Sequence, residues 1–217
     1  MEIISLGHSA FRIKTKTTTL VTDPYDSSIG LKMPKVAADI VTVSHQHHDH
    51  NQVDAVSGTS QHPRPFIIAG PGEYEINQVF ILGLPTFHDS QKGEKRGKNT
   101  IYLIMADGLK LCHLGDLGHK LSDKQVEQVN QVDVLFIPVG GTYTLTLEKI
   151  GEVINHIDPK IVVPMHYQQP GLNLDLLPVD KFLAELGIEK QPPVDKLIVK
   201  PESLPEERKI VVLKQKA

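Results

Sequence analysis

Ser44-His45-Gln46-His47-His48-Asp49-His50-Asn51 is the stretch of sequence that decides the fold, and it directly follows the apolar run Ile40-Val41-Thr42-Val43. If the strand predicted by this run continues to His47, then His45 and His47 point to one face, because side chains alternate along a strand. Asp49 and His50 come after the chain has turned, so they can reach a second point nearby. This spacing is typical of a pair of metal ions, since zinc, iron and manganese accept imidazole and carboxylate ligands.

The composition is that of an ordinary globular protein. The chain has 217 residues, 40% of them hydrophobic, and a formal net charge of -3, so we expect a single domain over residues 1–217 and no nucleic-acid partner. The one cysteine, Cys112, excludes an internal disulfide framework and a four-thiolate zinc site. No membrane span and no signal peptide are recognisable, so a cytoplasmic location is the expectation.

Local patterns predict strands in the first half and alternating helices and strands in the second. Apolar, β-rich runs between turn residues predict a meander of strands over residues 10–14, 18–23, 39–44, 65–69, 79–87 and 100–105. Ser122 and Gln125 form a capping-box signature before one helix, and apolar residues recur at helical spacing from Leu147 to Ile157. A third helix is predicted over residues 178–186, ending at Gly187, with strands over 134–139 and 161–165.

Further motifs follow the histidine-rich stretch where other strands are expected to end. They are Thr22-Asp23-Pro24, Pro85-Thr86-Phe87-His88-Asp89, His113-Leu114-Gly115-Asp116-Leu117-Gly118 and Val163-Pro164-Met165-His166-Tyr167. Together with His-x-His-x-Asp-His, and in this order, they resemble the signature of the metallo-β-lactamase superfamily. The resemblance covers roughly residues 1–167. It implies an α/β fold of the αββα type, a sandwich of two mixed β-sheets flanked by helices.

The resemblance also implies a ligand set for two divalent metal ions, with zinc as the first expectation and manganese or iron as alternatives. The first ion would be held by His45, His47 and His88, the second by Asp49, His50 and His166, and Asp116 would bridge both. Such a pair would carry a bridging hydroxide as the nucleophile. Asp49 and Asp116 are therefore the expected catalytic carboxylates, and Asp49 would orient the nucleophile and handle a proton.

Residues around the ligands receive supporting roles. Asp23 is expected to orient the His45–His50 loop as a hydrogen-bond acceptor without binding metal. Arg96, His119 and Tyr167 are candidate substrate contacts, although a solvated charged loop is an alternative for Arg96. His8 either faces the site or is a turn histidine. His48 and His113 are predicted to pack near the ligands.

The details resemble most closely the small branch related to ascorbate-6-phosphate lactonase, through residues 7–11, 70–76 and 96–101. This resemblance implies a metal-dependent hydrolase acting on a small ester, lactone or phosphoester, and a homo-oligomer. Three alternatives stay open. They are an iron-dependent redox enzyme of the same fold, a metal-stabilised binding protein without catalysis, and a nuclease, which the charge balance does not favour.

Overall fold

Two β-sheets face each other in the computed structural model, which describes residues 1–129 and 131–216. The strands are β1 Glu2–Gly7, β2 Ala10–Lys14, β3 Thr19–Thr22, β4 Val36–Ala37, β5 Ile40–Thr42, β6 Val56–Ser57, β7 Phe66–Ile68, β8 Gly72–Ile76, β9 Val79–Phe87, β10 Lys98–Ala106, β11 Leu109–His113, β12 Val134–Pro138, β13 Ile161–Met165, β14 Leu197–Ile198 and β15 Lys209–Ile210. The α-helices are α1 Asp123–Val129, α2 Leu147–Ile157 and α3 Val179–Glu185.

The first sheet has six strands in the order β14-β1-β2-β3-β5-β7. Strands β14, β1, β2 and β3 pair antiparallel, whereas β3, β5 and β7 run parallel to one another. The predicted meander is wrong for β5 and β7, because parallel neighbours are joined by crossover connections and not by hairpins. Strands β4 and β6 form a separate small parallel ladder.

The second sheet has seven strands in the order β15-β13-β12-β11-β10-β9-β8. Its hairpin half, β8 to β11, is antiparallel, and its other half, β11 to β13 and β15, is parallel. Both sheets are therefore mixed, which confirms the fold class expected from the sequence. The helix-strand alternation of the second half is also confirmed, since α1 and α2 each precede a parallel strand.

The main core fills the space between the sheets. Phe11, on β2 of the first sheet, packs against Phe136, on β12 of the second, with ring centroids 4.6 Å apart. Both side chains are almost completely buried. Tyr102, on β10, also joins the sheets, because its hydroxyl donates to the carbonyl of Val43 over 2.8 Å and accepts from the N–H of Gly70 over 2.9 Å. The bond to Val43 holds the chain directly before the histidine-rich segment.

The three helices pack on the outer face of the second sheet. In α2 the buried residues Ile150, Val153, Ile154 and Ile157 form one apolar stripe, as their helical spacing predicts. The predicted capping box of α1 is confirmed by the Ser122 N–H, which donates to Gln125 Oε1 over 3.0 Å. In the described ranges, the outer face of the first sheet is covered by loops and short 3-10 turns and not by α-helices. No helix of these ranges is long and apolar enough to cross a membrane.

Candidate metal centre

The histidine-rich segment lies in a bend and turn directly after β5. The assumption that the strand continues to His47 is wrong, since β5 ends at Thr42. Ser44 explains the early end, because its N–H donates to the carboxylate of Asp23 over 2.8 Å and not to a neighbouring strand. His45 and His47 are nevertheless neighbours, with ring centroids 4.7 Å apart. The bend therefore achieves the proximity that strand alternation was expected to give.

Four histidines converge on one oxygen of Asp116. Its Oδ2 lies 3.1 Å from Nε2 of His88 and 3.1 Å from Nε2 of His166. Nε2 of His50 lies 3.4 Å and Nε2 of His45 lies 3.9 Å from the same oxygen. The side chains come from the ends of β5, β9, β11 and β13, which meet at one edge of the sandwich. All four imidazoles and the carboxylate are buried.

Asp49 lies next to this cluster and is joined to it by two further contacts. Its Oδ2 lies 3.2 Å from Nε2 of His8 and 3.5 Å from Nε2 of His50. His8 follows β1 and adopts a left-handed backbone conformation with φ of 52°, as does His166. Left-handed conformations are uncommon outside glycine and tend to occur at functional sites. They turn both imidazoles toward the cluster at the ends of their strands.

Asp23 fixes the protonation pattern of two imidazoles from behind. Its Oδ2 accepts from the hydroxyl of Ser44 over 2.6 Å and from Nδ1–H of His50 over 2.9 Å. Because the Ser44 hydroxyl gives its proton to Asp23, Ser44 Oγ accepts from Nδ1–H of His45 over 2.9 Å. Both imidazoles then carry a proton on Nδ1, so the neutral form of each ring has its Nε2 lone pair facing the centre.

The cluster contains buried ligand-type atoms that have no hydrogen-bond partner. These atoms are Nε2 of His45, Nε2 of His50, Nδ1 of His88, Nδ1 of His166 and Oδ1 of Asp116. Buried polar atoms are normally hydrogen-bonded, so a group of exceptions in one place needs an explanation. The donors form three sets, and within each set the ligand atoms lie within 4.8 Å of one another. The sets are His8, Asp49, His50 and His166; His45, His47 and His88; and His45, His50 and Asp116. The donors fit divalent metal ions, and the structure brings together all seven expected ligands.

Burial and neighbouring charges shift the pKa values of the carboxylate and the imidazoles at the centre. Burial opposes ionisation of Asp116, but the neighbouring His166 and His50 hold the pKa of its carboxyl well below the usual range. Burial also disfavours the charged form of His50, but the carboxylates of Asp116 and Asp49 outweigh it and raise its pKa. Burial lowers the pKa of His45 to about 3, so this imidazole stays neutral and able to bind metal.

Asn99 and Gly115 hold the Asp116 loop in position beside the histidine-rich segment. The side-chain carbonyl of Asn99 accepts from the N–H of Asp116 over 3.0 Å, and its amide donates to the carbonyl of Leu114 over 2.9 Å. Gly115 has φ of +54°, and a Cβ there would lie 2.6 Å from Cβ of Ser44. A side chain at this position would therefore push the Asp116 loop away from the histidine-rich segment.

Residues 2–166 match the beta-lactamase superfamily domain. The chain belongs to the metallo-β-lactamase superfamily. A crystal structure of a proposed Zn-dependent hydrolase of this superfamily, from Thermotoga maritima, is similar with 39% sequence identity and a TM-score of 0.79. It matches over 98% of this chain and 97% of that one. These findings, with the clustered donors, support the coarse prediction of a metal-dependent hydrolase.

Two further proteins are similar to this chain at lower sequence identity. A protein named UPF0173 metal-dependent hydrolase from Lysinibacillus sphaericus is 28% identical over 213 residues, which cover 82% of this chain and 92% of the relative. The isothiocyanate hydrolase from Delia radicum gut bacteria has a TM-score of 0.67 and 16% identity over 92% of this chain and 99% of that one, which shows a shared fold alone. The narrower resemblance to ascorbate-6-phosphate lactonase stays a prediction.

The three candidate substrate contacts lie in different surroundings. Arg96 is half-buried and lines a cavity that His88 also lines. His119 uses both ring nitrogens on the main chain, since Nε2 accepts from Phe87 N–H over 3.1 Å and Nδ1–H donates to the Lys120 carbonyl over 2.7 Å. Tyr167 is 8% exposed and belongs to the core beneath the helices. Their substrate roles stay predictions, and the surroundings favour Arg96.

The predicted positions of three further histidines can be compared with their positions in the structure. His8, which the sequence left open, faces the centre through Asp49. His113 is buried as predicted, and its Nδ1 lies 4.0 Å from Asp23 Oδ2. The prediction that His48 packs near the ligands is wrong, because the chain turns there and its side chain is exposed.

Asp89 is a site residue that the sequence did not single out. Its two carboxylate oxygens accept from the backbone N–H groups of Gln91, Gly93, Lys95 and Arg96 over 2.7–3.0 Å. Burial opposes its ionisation, but these hydrogen bonds lower its pKa to about 2. An aspartate directly before a glycine-containing polar loop is the signal that could have indicated it.

Proposed function

We propose that the protein is a dinuclear metal hydrolase acting on a small ester, lactone or phosphoester. In this proposal His45, His47 and His88 would hold one zinc ion, Asp49, His50 and His166 would hold the other, and Asp116 would be a ligand of both. The observation that carries it is the convergence of four imidazole Nε2 atoms, at 3.1–3.9 Å, on one buried oxygen of Asp116. The buried Nε2 atoms of His45 and His50, which have no hydrogen-bond partner among the described residues, also support the proposal.

Zinc is the first expectation because the donor set consists of imidazole nitrogens and carboxylate oxygens. When bound, two such ions supply a strong nucleophile from water near neutral pH and polarise the carbonyl or phosphoryl oxygen of the substrate.

Hydrogen bonds within the chain orient the expected metal ligands. Asp23 and Ser44 keep the protons of His50 and His45 on Nδ1 and so direct Nε2 toward the centre. Nε2–H of His8 donates to Asp49 over 3.2 Å and fixes the direction of that carboxylate. Asp49 is the least buried carboxylate of the cluster, with 13% of its side chain exposed. This exposed edge would let Asp49 contact and orient an attacking water.

Metal analysis combined with hydrolysis assays tests the proposal. Protein purified without chelators is analysed by inductively coupled plasma mass spectrometry, with His166→Ala as the ligand variant. His156→Ala, which removes an exposed histidine of α2, is the matched control. We expect about two zinc ions per chain in the parent and the control, and a clear loss in His166→Ala.

The same samples are then assayed with three substrate classes, which are neutral 4-nitrophenyl carboxylic esters, lactones, and phosphodiesters. Hydrolysis that disappears with the metal in His166→Ala and persists in His156→Ala supports the proposal. One iron per chain together with oxygen consumption would instead indicate the redox alternative. Full metal loading with no hydrolysis of any of the three substrate classes would indicate a metal-stabilised binding protein.

A further inference from the structure

We propose that the cavity beside His88 binds an oxyanion group of the substrate, a carboxylate or a phosphate, next to the bond that is cleaved. The cavity has a volume of about 140 Å³, and its walls include His88, Asp89, Lys95, Arg96, Tyr143 and Lys149. Pockets that enclose a whole small ligand have about 300–1,000 Å³, so this cavity fits one group of a larger molecule. The inference rests on the proposed function in one respect, which is that His88 belongs to the reaction centre.

The walls carry a surplus of positive charge. Lys95, Arg96 and Lys149 stand against the single carboxylate of Asp89, which leaves two net positive charges. Within residues 1–129 and 131–216, no carboxylate oxygen lies within 4.0 Å of the side-chain nitrogens of these three cations. An oxyanion would supply the missing counter-charge.

Asp89 forms no ion pair with these cations, because both of its oxygens accept hydrogen bonds from the main chain. Each of its oxygens accepts two backbone N–H groups, from Gln91 and Gly93 on one and from Lys95 and Arg96 on the other. The loop is thereby wrapped around the carboxylate. Asp89 is a positioning residue, since it holds the two consecutive basic residues of the loop against the cavity.

Arg96 is held in place without an ion pair. Its guanidinium carbon lies 5.6 Å from the centroid of the Tyr143 ring, which is a cation–π distance. Stacking on an aromatic face restricts the long side chain and leaves its N–H donors free. The planar guanidinium matches carboxylate and phosphate oxygens with paired hydrogen bonds. A restricted, unpaired arginine is therefore suited to recognising an oxyanion.

The position of the cavity links this recognition to the reaction. His88 lines the cavity, and its Nε2 lies 3.1 Å from Asp116 Oδ2 at the centre. A substrate anchored by its anionic group would place the adjacent bonds over the metal ligands, and such anchoring lowers the barrier through orientation. Larger cavities, such as one of about 450 Å³ beside Met1 and Asp107, contain no expected metal ligand in their walls.

Binding of inorganic phosphate and of acetate to the metal-loaded protein tests the inference. Isothermal titration calorimetry compares the parent with the double variant Arg96→Gln/Lys149→Gln. The control Lys124→Gln/Lys181→Gln removes the same two charges from exposed positions on α1 and α3, outside the cavity. We expect Kd to rise at least about tenfold in the cavity variant and to stay within about twofold in the control. Stronger binding of phosphate than of acetate would identify the group as a phosphate, and the reverse order as a carboxylate.

A catalytic comparison separates this inference from the proposed function. Mono-4-nitrophenyl glutarate carries a free carboxylate, and its methyl ester is the neutral counterpart. The cavity variant should lower kcat/KM for the anionic ester more than kcat/KM for the neutral ester. Anion binding that is weakened in the cavity variant, together with no hydrolysis of either ester by the parent, would support the subsite and contradict the proposed hydrolase function. Equal affinities of parent and cavity variant for both anions, or no binding of either anion to the parent, would overturn the subsite.

Discussion

Replacing Asp23 with asparagine should weaken metal binding without removing any of the expected metal ligands. In the parent, Oδ2 of this completely buried carboxylate accepts from Ser44 Oγ–H over 2.6 Å and from His50 Nδ1–H over 2.9 Å. The amide of the Asp23→Asn variant keeps one oxygen, which the Ser44 N–H already uses, and presents an NH2 group where Oδ2 was. That NH2 group meets two donors, so the hydrogen-bond chain must reverse.

Reversal of these hydrogen bonds changes the tautomer of the imidazoles of His50 and His45. His50 must accept at Nδ1, and the Ser44 hydroxyl must turn and donate to Nδ1 of His45. Each ring then carries its proton on Nε2, which is the atom facing Asp116 at 3.4 Å for His50 and 3.9 Å for His45. A protonated nitrogen cannot bind metal, so the variant must return to the unfavourable tautomers to do so.

Loss of such an orienting partner lowers metal affinity about 10–100-fold, which is about 1.4–2.8 kcal/mol. A zinc titration in competition with a chromogenic chelator measures the affinity. Asp39→Asn is the matched control, since Asp39 is also buried and accepts from Thr19 N–H over 2.8 Å and from His62 Nδ1 over 3.2 Å, yet it contacts no expected ligand. Zinc affinity of Asp23→Asn within about twofold of the parent, or an equal loss in Asp39→Asn, would refute the tautomer argument.

Three further outcomes are expected. Under the proposed function, Asp116→Ala should lower the metal content and abolish hydrolysis, so elemental analysis that finds full metal content would contradict its role as a metal ligand. Phe136→Ala should lower the free energy of unfolding by about 3–5 kcal/mol, since the ring is fully buried, whereas Phe66→Ala, at a residue 47% exposed, should cost about 1 kcal/mol or less in the same urea titration. Burial raises the pKa of Cys112, so its thiol stays protonated at pH 8 and should react with a disulfide reagent only after unfolding; rapid labelling of the native protein would contradict this burial.

The elements predicted correctly are those whose signals are local. The capping box of α1 and the apolar stripe of α2 depend on residues within one or two helical turns, and Gly187 follows α3 in the left-handed conformation expected of a helix end, with φ of +67°. The long hairpin strands β9 and β10 were predicted for the same reason. The two-residue strands β14 and β15 carry no periodic pattern, because their pairing depends on partners far away in the sequence.

The end of β5 shows why local patterns fail near the site. The run Ile40-Val41-Thr42-Val43 predicts a strand that continues toward His47, but Ser44 leaves the ladder to bind Asp23. No sequence pattern contains that bond, since Asp23 belongs to a different strand end. The same applies to Asp89, whose role depends on the loop that folds around it.

The sequence by itself determined the superfamily of this protein and predicted its metal ligands, because histidine and aspartate follow one another in a recognisable order. It also determined the sheet-forming and helix-forming segments wherever periodicity is local. Only the tertiary structure decided how the donors converge, which imidazole nitrogens are free, and which cations line the cavity beside His88. These properties depend on distances between strand ends and on hydrogen bonds between distant residues, and such distances arise only when the two sheets pack together.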